Sequence, residues 1–436
     1  MKTTNKCSKG GGLMEKCYMV IDLKSFYASV ECIDRGLDPM TTRLVVADPE
    51  REKGTICLAI TPAMKKLGIK NRCRVFEIPE HLEYIKATPR MQRYIECSAD
   101  IYSIYLKYIA KEDIHVYSID EAFFDVTDYQ EYYQMSAKEI GRMIIDDIYQ
   151  TLGITATCGI GTNLYLAKVA LDITAKHAKD NIGVLDEETY QKLLWKHKPL
   201  TDFWRVGAGT AKRLAGLGIL TMGELAQMAQ YNEDQLYQMF GVDAELLIDH
   251  AYGRETTTMS DIKHYKSQGT SISSGQVLMR DYTFEEGRLI VKEMTDLLCL
   301  DLVDKGLITD SISLYVGYSH KVECAGAKGT VSLSTATSSA MAIRPQVAEL
   351  YDRIVNAKYM VRRMNISFNR VVDEAYQQYD LFTDPVELEK ERNMQKAMLE
   401  IKNKFGKNAV LKGMNLEESS TTIERNRQIG GHKSGL

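Results

Sequence analysis

The alternation of apolar and polar residues along this chain changes period several times, and each change marks an element. CYMVID at 17–22 is a continuous apolar run ended by an acid, which predicts a buried strand. A helix is predicted around SFYASVECI, with Ser25 near its start. LVVA at 44–47 and TICLAI at 55–60 read as short strands flanking the charged turn DPEREKG. TPAMKKLG predicts a short helix with Thr61 as N-cap, Pro62 in the first turn and Gly68 past the end. A long helix is expected from Thr88-Pro89, because Met91, Tyr94, Ile95, Ile101, Tyr105 and Ile109 recur at helical spacing.

HVYSID at 115–120 and AFFDVT at 122–127 predict a hairpin. Ser136 and Glu139 form a capping box that opens a helix ending near Gly153. TATCGI is a further strand and NLYLAKVALDITAK a further helix. With residues 32–105 set aside as an insertion, the order is the β-α-β-β-α-β of a ferredoxin-like core. Residues 200–255 read as helical with small hairpins. From 260 to 370, SISLYVGYS and VRRMNISFN alternate as half-buried strands do. Met364, Ile366 and Phe368 share one face, and Arg363, Asn365, Ser367 and Asn369 the other. LIVKEMTDLLCLDLVDKG at 289–306 reads as a helix, so this stretch is a separate small α+β domain. After residue 371 the core pattern stops, which predicts a flexible tail, 371–436. The opening MKTTNKCSKGGG predicts a disordered leader over 1–16, with Met14 a second candidate start.

Length and composition narrow the picture. At roughly 100–200 residues per domain, 436 residues make about three domains. No run approaches the ~20 apolar residues of a membrane span, and no secretory signal opens the chain. Nine cysteines without a Cys-x-x-Cys pair argue against zinc and for reduced thiols in a cytoplasmic protein. The net charge of −4 means that any nucleic-acid contact needs local basic surface. Lys65, Lys66, Lys70, Arg72 and Arg74 offer one such stretch, and Arg362, Arg363 and Arg370 another.

The candidate chemistry lies in three acids. Asp22 ends the first core strand, and Asp120 and Glu121 lie in the middle hairpin, which neighbours that strand in a ferredoxin-like sheet. Acids within YSIDEAFFDV are costly unless paired or metal-bound, and magnesium prefers oxygen ligands. The plainer alternative is a turn between two strands. Adjacent side chains on a strand point to opposite faces, so Asp120 and Glu121 reach one centre only if the backbone bends there.

VIDLKSFYASVE and YSIDEAFFDV resemble the two signature motifs of the Y-family (DinB/UmuC-like) DNA polymerases. CGIGTNLYLAKVA, WRVGAGTAKRLAGLGILTMGELA and GQVL at 275–278 extend the resemblance over residues 17–370, most similar to the UmuC-like branch of Gram-positive bacteria. It implies a right-hand α+β polymerase: palm at 17–31 and 106–186, fingers at 32–105, helix-hairpin-helix thumb at 187–255, little finger at 260–370. The implied activity is error-prone, template-directed DNA synthesis past lesions. Two Mg²⁺ ions, with Mn²⁺ as a substitute, would be held by Asp22, Asp120, Glu121 and the carbonyl of Leu23. Tyr27, five positions after Asp22, would be the steric gate against a ribose 2′-OH. Phe26, whose ring reads as core, joins Lys65 and Lys176 at the triphosphate. Pro62 stands where many members carry a tyrosine or asparagine, and the helix before Lys176 is one residue longer than in other branches.

The same resemblance implies partners. Gly207, Gly209 and Thr210 resemble a helix-hairpin-helix turn whose backbone N–H groups meet a phosphate. Arg363 and Arg370 would touch primer-template DNA from the little finger. Gln378, Leu381 and Phe382 resemble the peptide that docks on the bacterial sliding clamp. Deoxynucleoside triphosphates are the expected substrates, the nucleoid the expected setting, and accessory SOS proteins stay unspecified. Two rival readings stand beside this one. A non-catalytic DNA- and clamp-binding protein would retain a relic core. A nucleotide cyclase would share the core and the two-metal site but not the thumb-like and clamp-like segments.

Overall fold

The structure is a computed structural model and describes residues 16–51, 54–266, 269–376, 378 and 384–435. The expected leader therefore lies almost wholly outside the described residues. The chain divides into two compact units between Tyr265 and Lys266.

The strands of the first unit are β1 (Tyr18–Leu23), β2 (Leu44–Val46), β3 (Ala59–Ile60), β4 (Ile85–Ala87), β5 (Ile114–Val116), β6 (Glu121–Asp125), β7 (Ala156–Gly161) and β8 (Ile182–Leu185). The main sheet runs β5-β6-β1-β7-β8. β1 is antiparallel to both of its neighbours, and β8 is parallel to β7. That is the ferredoxin-like order with one strand added at the edge. β1 is apolar from Tyr18 to Ile21 because both faces are covered there, and Asp22 interrupts the run near its end. Met19 meets the helix Ala137–Leu152 at Gly141, while Tyr18, Val20 and Phe123 pack on Leu164, Ala167 and Leu171.

Two expectations about the insertion change. The helix Met91–Tyr105 lies on the main sheet, with Tyr105 edge-on to Phe124 at 4.9 Å between ring centroids. The inserted layer is therefore the β3-β2-β4 sheet with the helix Pro62–Lys66, and it closes before residue 91 rather than at 105. Thr61 does precede that helix, but its hydroxyl donates to the carbonyl of Thr42 at 2.7 Å and does not cap it. The remainder of the unit is helical: Glu187–Leu194, Ala208–Gly216, Met222–Phe240 and Asp243–Tyr252 bury Tyr190, Leu214, Leu225 and Phe240 together. The small hairpins expected at 200–255 are absent among the described residues.

The second unit pairs β9 (Ser271–Tyr282), β10 (Leu307–Tyr318), β11 (Ala327–Thr337) and β12 (Val361–Asn369) as an antiparallel sheet in the order β11-β10-β12-β9. Met364, Ile366 and Phe368 face the helices Phe284–Lys305 and Ala340–Ile354, as their alternation predicts.

The expected flexible tail is folded where it is described. A helix, Pro385–Phe405, leads to short turns and a small hairpin. Buried acids hold this segment. Glu391 accepts from the backbone of Met341 at 3.0 Å and pairs with Ser339, capping the helix Ala340–Ile354. Glu293 accepts from Asn415 at 2.7 Å, Ser420 at 2.5 Å and Thr421 N–H at 3.0 Å. Lys412 reaches Asp296 at 2.7 Å. The segment docks through polar groups, so it carries no apolar periodicity.

Candidate active site

Asp22 and Glu121 are cross-strand partners of β1 and β6. Residues 118–120 form a bend just before β6. The N–H groups of Tyr117 and Ser118 both donate to the Glu121 carbonyl at 3.0 Å, and Leu23 N–H donates to the Asp120 carbonyl at 2.9 Å. The bend that adjacent acids require is therefore present. It sets Asp120 outside the strand, where its carboxylate accepts from the Ser118 hydroxyl at 2.7 Å.

Burial pushes the Asp22 carboxyl up to about 7, and the charges of Asp120 and Glu121 add to the effect. Glu121 is also raised by burial, against the lowering pull of Lys168. Lys168 places its ammonium 2.9 and 3.0 Å from the two Glu121 oxygens and 3.1 Å from Asp172. The charge of Asp120 disfavours the ionised forms of both Asp22 and Glu121, and the three carboxylates offer hard oxygen donors whose crowding a divalent cation would relieve. Among the described residues no three acids already converge as a coordination cage, because Glu121 is turned onto Lys168.

Lys168 reaches Glu121 because its helix lies unusually close to the sheet. A Cβ on Gly159 would stand 2.2 Å from the Ala167 carbonyl, so only glycine permits that approach. Asn163 caps the helix by accepting from Leu166 N–H at 2.8 Å. After Leu164–Val169 the chain makes a π-turn at Ala170–Thr174. A π-helical turn is how a helix accommodates one residue more than regular winding allows.

Tyr27 sits in the first turn of the helix Phe26–Ile33, half-buried, with the charges of Asp120 and Arg72 close enough to act on its hydroxyl. Its ring stacks on Tyr94 at 4.4 Å between centroids and 15° between planes. Tyr94 donates to the fully buried Glu31 at 2.8 Å, and Glu31 is also held by Arg90 at 2.8 Å and by Arg35. Tyr94, Glu31 and Lys168 escaped the sequence reading. Tyr94 reads in sequence as a helix core position, and nothing local marks the other two. The Phe26 ring is buried in the core, as its reading as a core ring expects.

Lys65 and Lys176 are both exposed. Desolvation lowers Lys65, Asp22 raises it and Lys176 lowers it, so both charges act at one place. Gly207 and Gly209 are exposed, a Cβ on either would meet nothing, and no side chain caps the helix Ala208–Gly216 they open. In the second unit Arg363 is exposed on the polar sheet face. Arg370 instead pairs with Asp310 at 2.7 Å. Gln378 is exposed, and Leu381 and Phe382 lie outside the described residues.

The impB/mucB/samB family profile matches residues 21–172, and the profile of that family's C-terminal domain matches residues 270–381. A Bacillus subtilis strain 168 protein named for UV-damage repair, UvrX, is 32% identical over 96% of this chain and 98% of its own. DNA polymerase IV 2 of the same organism is 30% identical over 96% of this chain and 99% of its own. Among solved structures, a Y-family DNA polymerase chimera of Dbh and Dpo4 matches with a TM-score of 0.59. That match covers 82% of this chain and 99% of the chimera at 20% identity, which speaks for the fold. The chain belongs to the impB/mucB/samB family, the UmuC/DinB-like Y-family of DNA polymerases. Membership implies a divalent-metal-dependent centre.

Proposed function

We propose that this chain extends a primer on a damaged DNA template by nucleotidyl transfer at Asp22, Asp120 and Glu121. The observation that carries the reading is the opposition of Asp22 to Glu121 with Asp120 bent in beside them. Two magnesium ions bound there would activate the primer hydroxyl and hold the triphosphate. Asp22 and Asp120, with the Leu23 carbonyl at the end of β1, would ligate from the sheet. Glu121 completes the set by leaving Lys168, which keeps Asp172 as its partner.

Tyr27 bounds the sugar. The Tyr94 stack and the buried Glu31 behind it keep the ring from yielding, so a 2′-OH meets a fixed wall. Lys65, Lys176 and the backbone of Phe26 bind the triphosphate. Gly207, Gly209 and Thr210 would offer backbone N–H groups and a hydroxyl to a DNA phosphate, and Arg363 offers a cation on a sheet face rich in Ser and Asn. Such a face grips without reading sequence. Gln378, Leu381 and Phe382 would tether the protein to the sliding clamp, raising its local concentration at the primer end. The setting is the bacterial cytoplasm, at the nucleoid. A relic core is disfavoured by the intact acid cluster, and a cyclase by the family match over both units.

Primer extension across an abasic site, with and without loaded clamp, tests this reading. Extension past the site by the intact chain, stimulated by the clamp and lost on deleting residues 378–382 only when the clamp is present, is the expected result. A chain that binds DNA but extends nothing would leave the relic reading standing.

A further inference from the structure

We propose that Cys57 and Cys73 form a modification site, a dithiol in the inserted layer that hydrogen peroxide converts to an intrachain disulfide. The site stands apart from the polymerase reading and would hold without it. Both residues carry free thiols. They flank the segment that contains the helix Pro62–Lys66.

Backbone register places them. Ile56 and Arg74 form an antiparallel bridge. One step along, Cys57 stands opposite Cys73, and its N–H donates to the Cys73 carbonyl at 2.8 Å. On the other side of the bridge, Val75 N–H donates to the Thr55 carbonyl at 3.0 Å, so the pairing is held at both ends. Opposite residues of an antiparallel pair project to the same face. Ile56 and Arg74 are exposed, whereas Cys57 is 0% and Cys73 7% exposed and both pack with Ile60, Met64 and Ile78. A hydrogen-bonded pair of this kind holds its Cα atoms ~5.5 Å apart, inside the ~4.4–6.8 Å that a disulfide spans. The bond can therefore close without a shift of the backbone.

Reactivity follows from burial. Desolvation pushes the Cys57 thiol up to about 12 and raises Cys73 as well, so neither is a ready thiolate at neutral pH. Access then sets the order of attack. Cys73 is the less buried, and its sulfur takes one peroxide oxygen to give a sulfenic acid, with release of one water. The Cys57 sulfur attacks that sulfur, the S–O bond breaks, and the hydroxyl leaves with the Cys57 proton as a second water. In all, two thiols lose two electrons and two protons, and one hydrogen peroxide becomes two waters. The disulfide ties together the two ends of the segment 58–72, which carries the exposed cations Lys65, Lys66, Lys70 and Arg72. A crosslink of this kind acts mainly by restricting the unfolded chain, so it stabilises the layer without a new core contact.

The test uses the full-length chain carrying Cys324→Ser, which removes the exposed thiol. The reduced protein is treated with hydrogen peroxide, its remaining thiols are alkylated, and it is digested with trypsin without reductant. Cleavage after Lys65, Lys66, Lys70 or Arg72 separates the two cysteines, so a disulfide shows as two peptides joined through Cys57 and Cys73. The expected result is that joined pair, lighter by two hydrogens than its parts and released by reductant. The oxidised chain should also melt at a higher temperature than the reduced one. Cys73→Ala and Cys57→Ala, each in the same background, should show neither the joined peptides nor the shift. Peroxide that leaves both thiols free, or oxidises them to unjoined sulfinic acids, in a folded chain would overturn the proposal. Joined peptides that form only as the melting transition disappears would overturn it too, because the bond would then belong to the unfolded chain.

Discussion

Asp22 and Glu121 stand directly opposite each other on the antiparallel strands β1 and β6, so their side chains rise from one face of the sheet. This pairing fixes the centre of the candidate site. Asp120 joins it from the bend at 118–120 and not from the strand. The buried Lys168 answers the charge of Glu121, and Asp172 shares that lysine.

The gate reading makes a specific claim about Tyr27. Its ring is backed by Tyr94, so removing it opens space that Tyr94 cannot fill without leaving Glu31. Tyr27→Ala should raise ribonucleotide incorporation relative to deoxyribonucleotide by about tenfold or more, the scale of one removed clash. Competitive incorporation on an undamaged template reads this ratio.

Glu31 anchors the wall behind the gate. It is fully buried and accepts from Tyr94, Arg90 and Arg35. Glu31→Ala removes an acceptor from Tyr94, Arg90 and Arg35, while Arg90 keeps Asp34 at 2.7 Å and both arginines reach solvent. The buried phenol of Tyr94 is the group left unsatisfied, at a cost of about 1–3 kcal/mol. Chemical denaturation of the variant should show a loss of that size.

Two arginines on the second unit should behave differently. Arg363 is exposed on the polar sheet face, whereas Arg370 is engaged with Asp310. Arg363→Ala should weaken DNA binding uniformly across sequences and reduce the slope of log affinity against log salt by about 1. Arg370→Ala should change that slope less. Fluorescence anisotropy over a salt series distinguishes them.

The second unit should also lose stability in acid at an identifiable carboxylate. The hydrogen bond from Arg280 holds Glu286 down to about 2, helped by the Thr283 N–H and the Ser419 hydroxyl, against desolvation. A depressed carboxylate contributes stability above its unfolded value of 4.5, and that contribution is lost as pH falls toward about 2. Glu286→Gln should flatten the stability-against-pH curve of the folded chain across that window.

The elements that patterning could reach were those built on apolar periodicity. β1, the hairpin of β5 and β6, and the alternation of Met364, Ile366 and Phe368 were all legible because burial dictates their residue types. The capping box at Ser136 and Glu139 was legible for a local reason, and the structure forms it. The segment after residue 384 was not legible. Glu293, Asp296 and Glu391 hold it, and a buried carboxylate looks in sequence like any surface acid. The same limit hid Glu31 and Lys168 at the site. Tyr94 was visible as a core position, but its stack on Tyr27 joins residues far apart in sequence. Arg370, just past β12, pairs with Asp310 across the sheet, a contact that local sequence does not announce.

The account stands on the three acids as a catalytic centre. The most direct measurement compares wild type with Asp120→Asn in primer extension with magnesium, alongside DNA affinity and melting temperature. Asp120 is partly exposed and accepts from Ser118, so the amide fits its place without unfolding the chain. The prediction is extension reduced by about a hundred- to a thousandfold, the scale of losing one electrostatic group at a reacting centre, with DNA binding and melting unchanged. Extension by Asp120→Asn at close to the wild-type rate would contradict the account.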